Sequence, residues 1–255
     1  MAFAAALIYI LWLPDVAKLK KTNPATTAYM QLRQHQAEKS GKKFVKKMTW
    51  VNLKGISEHL IHAAIIAEDD TFYLHKGIDW QQMRIAVKIN LQKRRFAYGG
   101  STITQQVARN LYLSPSKNPL RKIKEMIIAR MLESKLGKKR ILEIYLNIAE
   151  WGKGIFGAEA ASQAYFNKPA SDLNPEEAAA LVSVLPSPRR WNPAMPTRYI
   201  ERRKRNILGR MVSSGYLPDE VDEETVEAKF ENINPASSTV TASLNPDMEI
   251  RRNPQ

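Results

Sequence analysis

The sequence predicts a mainly α-helical domain, and three observations predict it. Apolar residues recur with helical spacing in several successive stretches, glycine and proline punctuate the joins between those stretches, and no regular alternation of strand and helix patterns occurs. At 255 residues, 44% of them hydrophobic, the chain is long enough for one large domain with its own core or for two small ones.

Residues 1–13 read MAFAAALIYILWL without a charge, and Pro14-Asp15 closes the run. A membrane-spanning helix needs roughly 20 apolar residues; this run covers about 20 Å of a hydrocarbon core about 30 Å thick. The segment is short for a span and lacks the basic leader of a signal peptide. Residues 1–17 are therefore expected to be a short or truncated membrane anchor, with a core-docking terminal helix as the alternative. Residues 18–53 are strongly basic, with Lys39, Lys42, Lys43, Lys46 and Lys47 clustered around Gly41 and Glu38 opposing them. They read as a juxtamembrane connector, in which 44–51 suits a short solvated strand. Lysines near anionic head groups contribute roughly 1 kcal/mol each.

Helical patterning begins with Ser57 as N-cap and continues through Leu60, Ile61, Ala63, Ala64, Ile65 and Ile66, apolar on nearly every side and hence buried. Further helices are predicted over 103–113, 121–136, 138–148, 175–185 and 198–213. Breaks fall at Gly99-Gly100, Pro115, Pro119, Gly137, Gly152 and Pro186-Ser187-Pro188, and no internal repeat occurs. Beyond residue 215 the composition turns acidic and then polar, which predicts a flexible tail over 216–255. The catalytic domain is then 54–215, with too little chain beyond it for a second one.

Charge and inventory narrow the function. An excess of 39 Lys+Arg over 25 Asp+Glu gives a formal +14 and predicts a polyanionic partner: nucleic acid, an anionic membrane surface or a phosphorylated substrate. The absence of cysteine excludes disulfides, thiolate zinc sites, iron–sulfur clusters and cysteine nucleophiles.

Two glutamates stand out. Glu68 ends the apolar helix, where the helix dipole and desolvation both oppose a negative charge; that tunes a carboxyl toward proton transfer near neutral pH. Glu125 has Arg121 four residues before it and Lys124 beside it, a cationic setting in which a carboxylate organises charge. One acid handling a proton and another organising charge is a pattern of glycosyl chemistry. Between them lies Gly99-Gly100-Ser101-Thr102-Ile103-Thr104-Gln105-Gln106, a glycine-freed loop with a Thr102/Gln105 capping box feeding a helix N-terminus. With Arg109 one turn on, that terminus reads as a place for a pyrophosphate. Gly152-Lys153-Gly154-Ile155-Phe156-Gly157 fits the dinucleotide fingerprint literally, yet it is read as following a helix rather than a strand, outside any βαβ unit, and is rejected. His59 and His62 read as core or edge histidines.

Taken in order, these segments resemble the peptidoglycan glycosyltransferases, the family that includes the glycosyltransferase halves of bifunctional penicillin-binding proteins. The resemblance runs over 50–211. It rests on Glu68-Asp69-x-x-Phe72-x-x-His75-x-Gly77, on Gly99 to Gln106, on Arg121-Lys122-x-x-Glu125, and on Lys138-x-x-Ile141-Leu142-Glu143-x-Tyr145-x-Asn147. A fifth element, Arg203-Lys204-Arg205-Asn206-Ile207-Leu208, departs from the family pattern at two places, and Ile148-Ala149-Glu150-Trp151-Gly152 looks most like the monofunctional members.

The resemblance implies a lysozyme-like helical head beside a smaller membrane-facing jaw, anchored at the N-terminus in the cytoplasmic (inner) membrane with the head on its outer, periplasmic face. It implies polymerisation of lipid II onto a lipid-linked nascent glycan, β-1,4 linkage with inversion, and release of polyprenyl pyrophosphate, without transpeptidase activity. Glu68 would be the general base and Glu125, with Arg121 and Lys124, would hold the donor phosphates, directly or through a divalent cation (Mg²⁺ or Mn²⁺), a point the resemblance leaves open. Ser101, Thr102, Gln105, Gln106, Arg109 and Asn110 would line the donor cleft, with Arg140, Tyr145 and Asn147 nearby; Tyr145 and Asn147 have a structural alternative. His75 and Gly77 would shape the loop after Glu68. Division or elongation proteins are compatible partners; nucleic acid is not expected, for no stacking platform accompanies the lysines. The rival within the same fold is a lysozyme-like enzyme that cleaves finished peptidoglycan.

Overall fold

The computed structural model describes residues 9, 10, 12–94, 99–114 and 118–218. Among them are nine α-helices, three short strands and a few 3-10 turns. The chain divides into a unit spanning 1–216 and a second spanning 217–255, of which Leu217 and Pro218 are described. The expected tail therefore lies almost wholly outside the described residues.

Helix α1 (Ala28–Lys39) lies inside the stretch read as a connector. Its composition is polar on all sides and it buries Met30, so no apolar stripe announced it; Thr27 starts it by accepting from the Met30 amide. A solvated strand was expected over 44–51, and there β1 (Lys47–Met48) forms. Helix α2 (Glu58–Glu68) starts at Ser57 and buries Leu60, Ala63, Ala64, Ile65 and Ile66. Helix α3 (Trp80–Gln92), capped by Asp79, was not foreseen, because its apolar residues are interrupted by Gln, Arg and Lys and largely face outward.

The remaining helices follow the sequence patterns closely. They are α4 (Ile103–Tyr112), α5 (Pro119–Leu136), α6 (Lys138–Ile148), α8 (Pro175–Val184) and α9 (Arg198–Ser213), with the short, alanine-rich α7 (Ala158–Phe166) unforeseen. Between α6 and α7, β2 (Glu150–Gly152) and β3 (Ile155–Phe156) form an antiparallel hairpin, and β1 adds to β3 in parallel with Lys47 opposite Ile155. The glycine run 152–157 thus leaves a strand, correcting its assignment to a helix end. That strand belongs to a hairpin and not to a βαβ unit, so the fingerprint still has no dinucleotide scaffold.

Two packing groups build the core of the first unit. α2 packs on α8 and α9, where Ala63, Ala64, Ala178 and Ala179, all fully buried, let the helices approach closely. α4 packs on α5 and α6 through Ile103, Val107, Ile128, Leu132, Ile141 and Leu142. Each buried Leu or Ile contributes roughly 1.5–3 kcal/mol. Phe72 and Trp151 are also fully buried. Glu68 ends a helix of the first group and Gln106 belongs to the second, so the seam between the groups is where the two meet.

Residues 1–8 and 11 of the expected anchor lie outside the described residues, and among the described residues no helix is long and apolar enough to cross a membrane. The chain following that segment is fastened to the helical body. Arg140 on α6 donates to the carbonyls of Leu19 (2.8 Å) and Thr22 (3.1 Å) and to Asn23 Oδ1 (2.7 Å). Trp80, Val87 and Leu91 on α3, together with Tyr73 and Leu74 in the loop before it, are each more than half exposed.

Candidate active site

Glu68 is the last residue of α2, and Gln106 on α4 donates from Nε2 to its Oε2 at 2.9 Å. Desolvation by the surrounding protein is the largest influence on the Glu68 carboxyl and raises its pKa. Asp69 pushes the same way; the Gln106 bond and the charges of Arg203 and Arg109 pull less strongly against it. Tyr145 on α6 is buried beside the glutamate, and burial first, then the Glu68 charge, raise its pKa well above the ordinary tyrosine value. It remains a neutral phenol.

Asp69 and the loop after it hold this pair in register. Asp69 Oδ2 accepts from the Ile103 amide (2.8 Å), the first residue of α4, and the carboxylate also receives His75 Nε2 at 2.9 and 3.1 Å. The Gly77 amide donates to His75 Nδ1 (3.1 Å), which places the imidazole proton on Nε2. Thr102 Oγ1 then donates to the Gly77 carbonyl (2.7 Å). His75 and Gly77 thus sit in the loop as expected, aligning the start of α4 with the end of α2.

The same bonds correct the reading of the α4 N-terminus as a pyrophosphate site. The Ile103 amide is taken by Asp69 and the Gln105 amide by Thr102 Oγ1, with Gln105 Oε1 returning to the Thr102 amide in a complete capping box. Those amides are spent within the protein, and Thr102 and Gln105 are buried supports.

Glu125 is wholly buried and is bonded by Arg121 Nη1 and Lys122 Nζ; Lys122 also donates to Ser101 Oγ at 2.9 Å. Lys124 does not join them: its ammonium donates to the Tyr9 carbonyl (2.8 Å) and sits 4.3 Å from the centre of the Tyr9 ring. Helical phase explains the correction, since residues three and four positions before Glu125 share its face and its immediate neighbour does not. Arg140, beyond its bonds to residues 19–23, pairs with Glu143 on its own helix. Asn147 is buried and exchanges bonds with the Val51 amide and carbonyl, both at 2.9 Å. Both fasten the N-terminal chain to α6.

Beside the Glu68–Gln106 pair opens a cavity of about 510 Å³. Of the residues named from the sequence, Gln106, Arg109, Asn110, Arg121 and Tyr145 line it and Ser101, Thr102 and Gln105 do not; Tyr29, Arg33, Glu150, Arg189 and Arg190 line it as well. Glu150 and Arg203 had stood in quoted segments without an assigned role. Arg189 and Arg190 follow the Pro186-Ser187-Pro188 break, and a paired arginine beside a rigid turn was the signal available. Among the described residues, no group of three or more His, Asp or Glu side chains is placed to hold a metal. Glu125, closely matched by two cations, is a poor donor set for Mg²⁺ or Mn²⁺.

A glutamate desolvated by burial is thus bonded to a lining residue of a cavity rich in arginine, an arrangement that acid–base chemistry on an anion can use. Which enzyme class this is follows from the family: residues 33–212 match the Transglycosylase family model, and the chain belongs to that family. Among its relatives, a protein named biosynthetic peptidoglycan transglycosylase from Azoarcus sp. (strain BH72) is 44% identical over 211 residues, 82% of this chain and 91% of the relative. Proteins of the same name from Aromatoleum aromaticum (45% over 210 residues; 82% of this chain, 91% of the relative) and Nitrosospira multiformis (41% over 212 residues; 83% and 92%) are similarly close.

Proposed function

We propose that this chain is a peptidoglycan glycosyltransferase that polymerises lipid II into β-1,4-linked glycan, with Glu68 as general base. Family membership and the relatives' shared name support the activity, and one observation carries the mechanism: the desolvated Glu68 is held by Gln106, which itself lines the arginine-rich cavity.

In the reaction the acceptor's 4-hydroxyl gives its proton to Glu68 as its oxygen attacks the anomeric carbon of the lipid-linked donor. The bond to the pyrophosphate breaks on the opposite face, the configuration inverts, and polyprenyl pyrophosphate leaves with the electron pair. Burial supports Glu68 as a base because a carboxylate deprived of water gains by taking up a proton. Arg109 and Arg121 stabilise the charge that grows on the leaving group in a partly dehydrated cavity. Glu125 acts at one remove, fixing Arg121 and Lys122, and through Lys122 it holds Ser101 of the glycine loop. No step is assigned to a metal.

The enzyme works at the cytoplasmic (inner) membrane, held by an N-terminal anchor with its cleft on the outer face. The exposed Trp80, Val87, Leu91, Tyr73 and Leu74 support a membrane-facing jaw around α3. Lipid II and the lipid-linked glycan are its substrates, and division or elongation proteins its recruiting partners. Incubation of the detergent-solubilised protein with labelled lipid II tests the reading. Polymer that lysozyme digests, and that Glu68→Gln does not make, is the expected result; soluble fragments released from purified sacculi would instead establish the hydrolytic rival.

A further inference from the structure

The cavity has two kinds of wall. Arg109, Arg189 and Arg190 carry no ion pair among the described residues, and Arg190 lies over the Trp191 ring, 4.9 Å from its centre, which in turn stacks on Tyr199. These guanidinium groups offer donors and net positive charge. Elsewhere on the lining, Tyr29 and Arg33 of α1 meet Glu150 of β2, the one carboxylate among the lining residues. Arg33 Nε donates to Glu150 Oε2 at 2.9 Å, Nη2 stands 2.8 Å from the same oxygen and also donates to the Tyr29 hydroxyl, and Nη1 donates to Gln36 at 3.0 Å.

A buried ion pair of this kind adds little to stability, because desolvating two charges offsets most of their attraction. Its effect on the cavity is chemical. Arg33 spends its donors on Glu150, Tyr29 and Gln36. Tyr29 accepts from Arg33, and burial and the neighbouring Glu150 charge raise its pKa and keep the phenol proton in place. What the cluster presents to a ligand is therefore acceptors: the remaining lone pair of Tyr29 and the carboxylate of Glu150. A pyrophosphate, which brings acceptors and negative charge, is repelled there. Sugar hydroxyls and an acetamido N–H, which bring donors, are matched.

We propose that Tyr29, fixed by the Arg33–Glu150 pair, is a specificity-determining contact for the sugar of the lipid-linked substrate. The acceptor wall of α1 and β2 takes the uncharged amino sugar while the arginine wall takes the pyrophosphate, which orients the substrate in the cavity. The assignment rests on the glycosyltransferase reading above and extends it to α1, a helix lying within the basic stretch before the main domain.

The experiment compares Tyr29→Phe and Glu150→Gln with wild type in labelled lipid II polymerisation, alongside inhibition by a sugar-free polyprenyl pyrophosphate. Both variants nearly preserve shape. Loss of one hydrogen bond to a buried polar group predicts that KM for lipid II rises ~5- to 20-fold in Tyr29→Phe with kcat within about twofold. The inhibition constant of the sugar-free pyrophosphate stays within about twofold of wild type, because its binding wall is untouched. An unchanged KM in both variants overturns the proposal. So does a parallel loss of affinity for lipid II and for the sugar-free pyrophosphate, which would mark the cluster as a structural brace. Failure of wild type itself to polymerise lipid II would instead refute the activity on which the proposal rests.

Discussion

Replacing Asp69 by Asn tests whether one buried carboxylate holds the two halves of the site together. Asp69 is 8% exposed and accepts from two donors on different elements, the Ile103 amide at 2.8 Å and His75 Nε2 at 2.9 Å. Asparagine keeps one acceptor oxygen and turns an NH2 group toward the other donor. One bond to a charged acceptor, at about 1.5–3 kcal/mol, is lost outright, and the remaining bond is weakened by the loss of charge, for a total of about 3 kcal/mol. For a domain of this size that lowers Tm by about 6–12 °C. Gln106 lies one turn from Ile103, so a shift of the helix start also loosens its bond to Glu68, and a cost of about 1.4 kcal/mol there is a tenfold fall in kcat. Near-UV circular dichroism melts in detergent and initial rates with labelled lipid II measure both. A variant that melts within about 2 °C of wild type and polymerises normally refutes the claim that Asp69 couples α2 to α4.

Three other outcomes follow from the same geometry. Burial raises the Glu68 pKa, so the native protein holds this proton to higher pH than the unfolded chain and loses stability as pH rises above the ordinary 4.5. Glu68→Gln is accordingly expected to melt higher than wild type at pH 7.5, with the gain disappearing below pH 4.5, and the acid limb of kcat/KM in wild type lies above 4.5; an equal difference in melting above and below pH 4.5 contradicts the desolvation. Lys122→Ala leaves Glu125 with one cation and frees Ser101, and is expected to lower polymerisation by at least ~10-fold, whereas Lys124→Ala, facing away, stays within about twofold; the reverse ranking would restore the sequence reading. Gly77→Ala forces a φ of +90° on alanine and places a Cβ 2.9 Å from Glu133 Cγ and 3.0 Å from the Ala129 carbonyl oxygen, so a loss of about 2–4 kcal/mol in urea unfolding is expected.

What could be read from sequence divides along physical lines. The bounds 138–148 and 198–213 were legible because their apolar residues keep helical phase from end to end and the flanking Gly137 and Thr197 mark the starts. α1 escaped because it has no apolar face, and α3 because its apolar residues are exposed rather than aligned to a core. Glu68 and Gln106 were visible through ordered local motifs. Lys122 was passed over for Lys124 because adjacency in sequence is not adjacency on a helix. The Arg33–Glu150 bond joins residues 117 positions apart, and no local pattern anticipates that pairing. The pyrophosphate reading of the α4 N-terminus met a related obstacle: its first amide, that of Ile103, is already matched by Asp69, which lies 34 positions earlier.

The bonds from Arg140 to residues 19, 22 and 23 also set a mechanical limit. A flexible leash of twenty residues would let a tethered head wander over roughly 25 Å. Here the chain leaving the apolar N-terminal run is stapled to α6 within a few residues, so an anchor in the bilayer would act as a mast of fixed height rather than a rope. The cleft would then stand at one distance from the plane in which a lipid-linked sugar moves, and inserting a flexible spacer ahead of Leu19, between the apolar run and the staple, would cost rate without altering a single residue of the site.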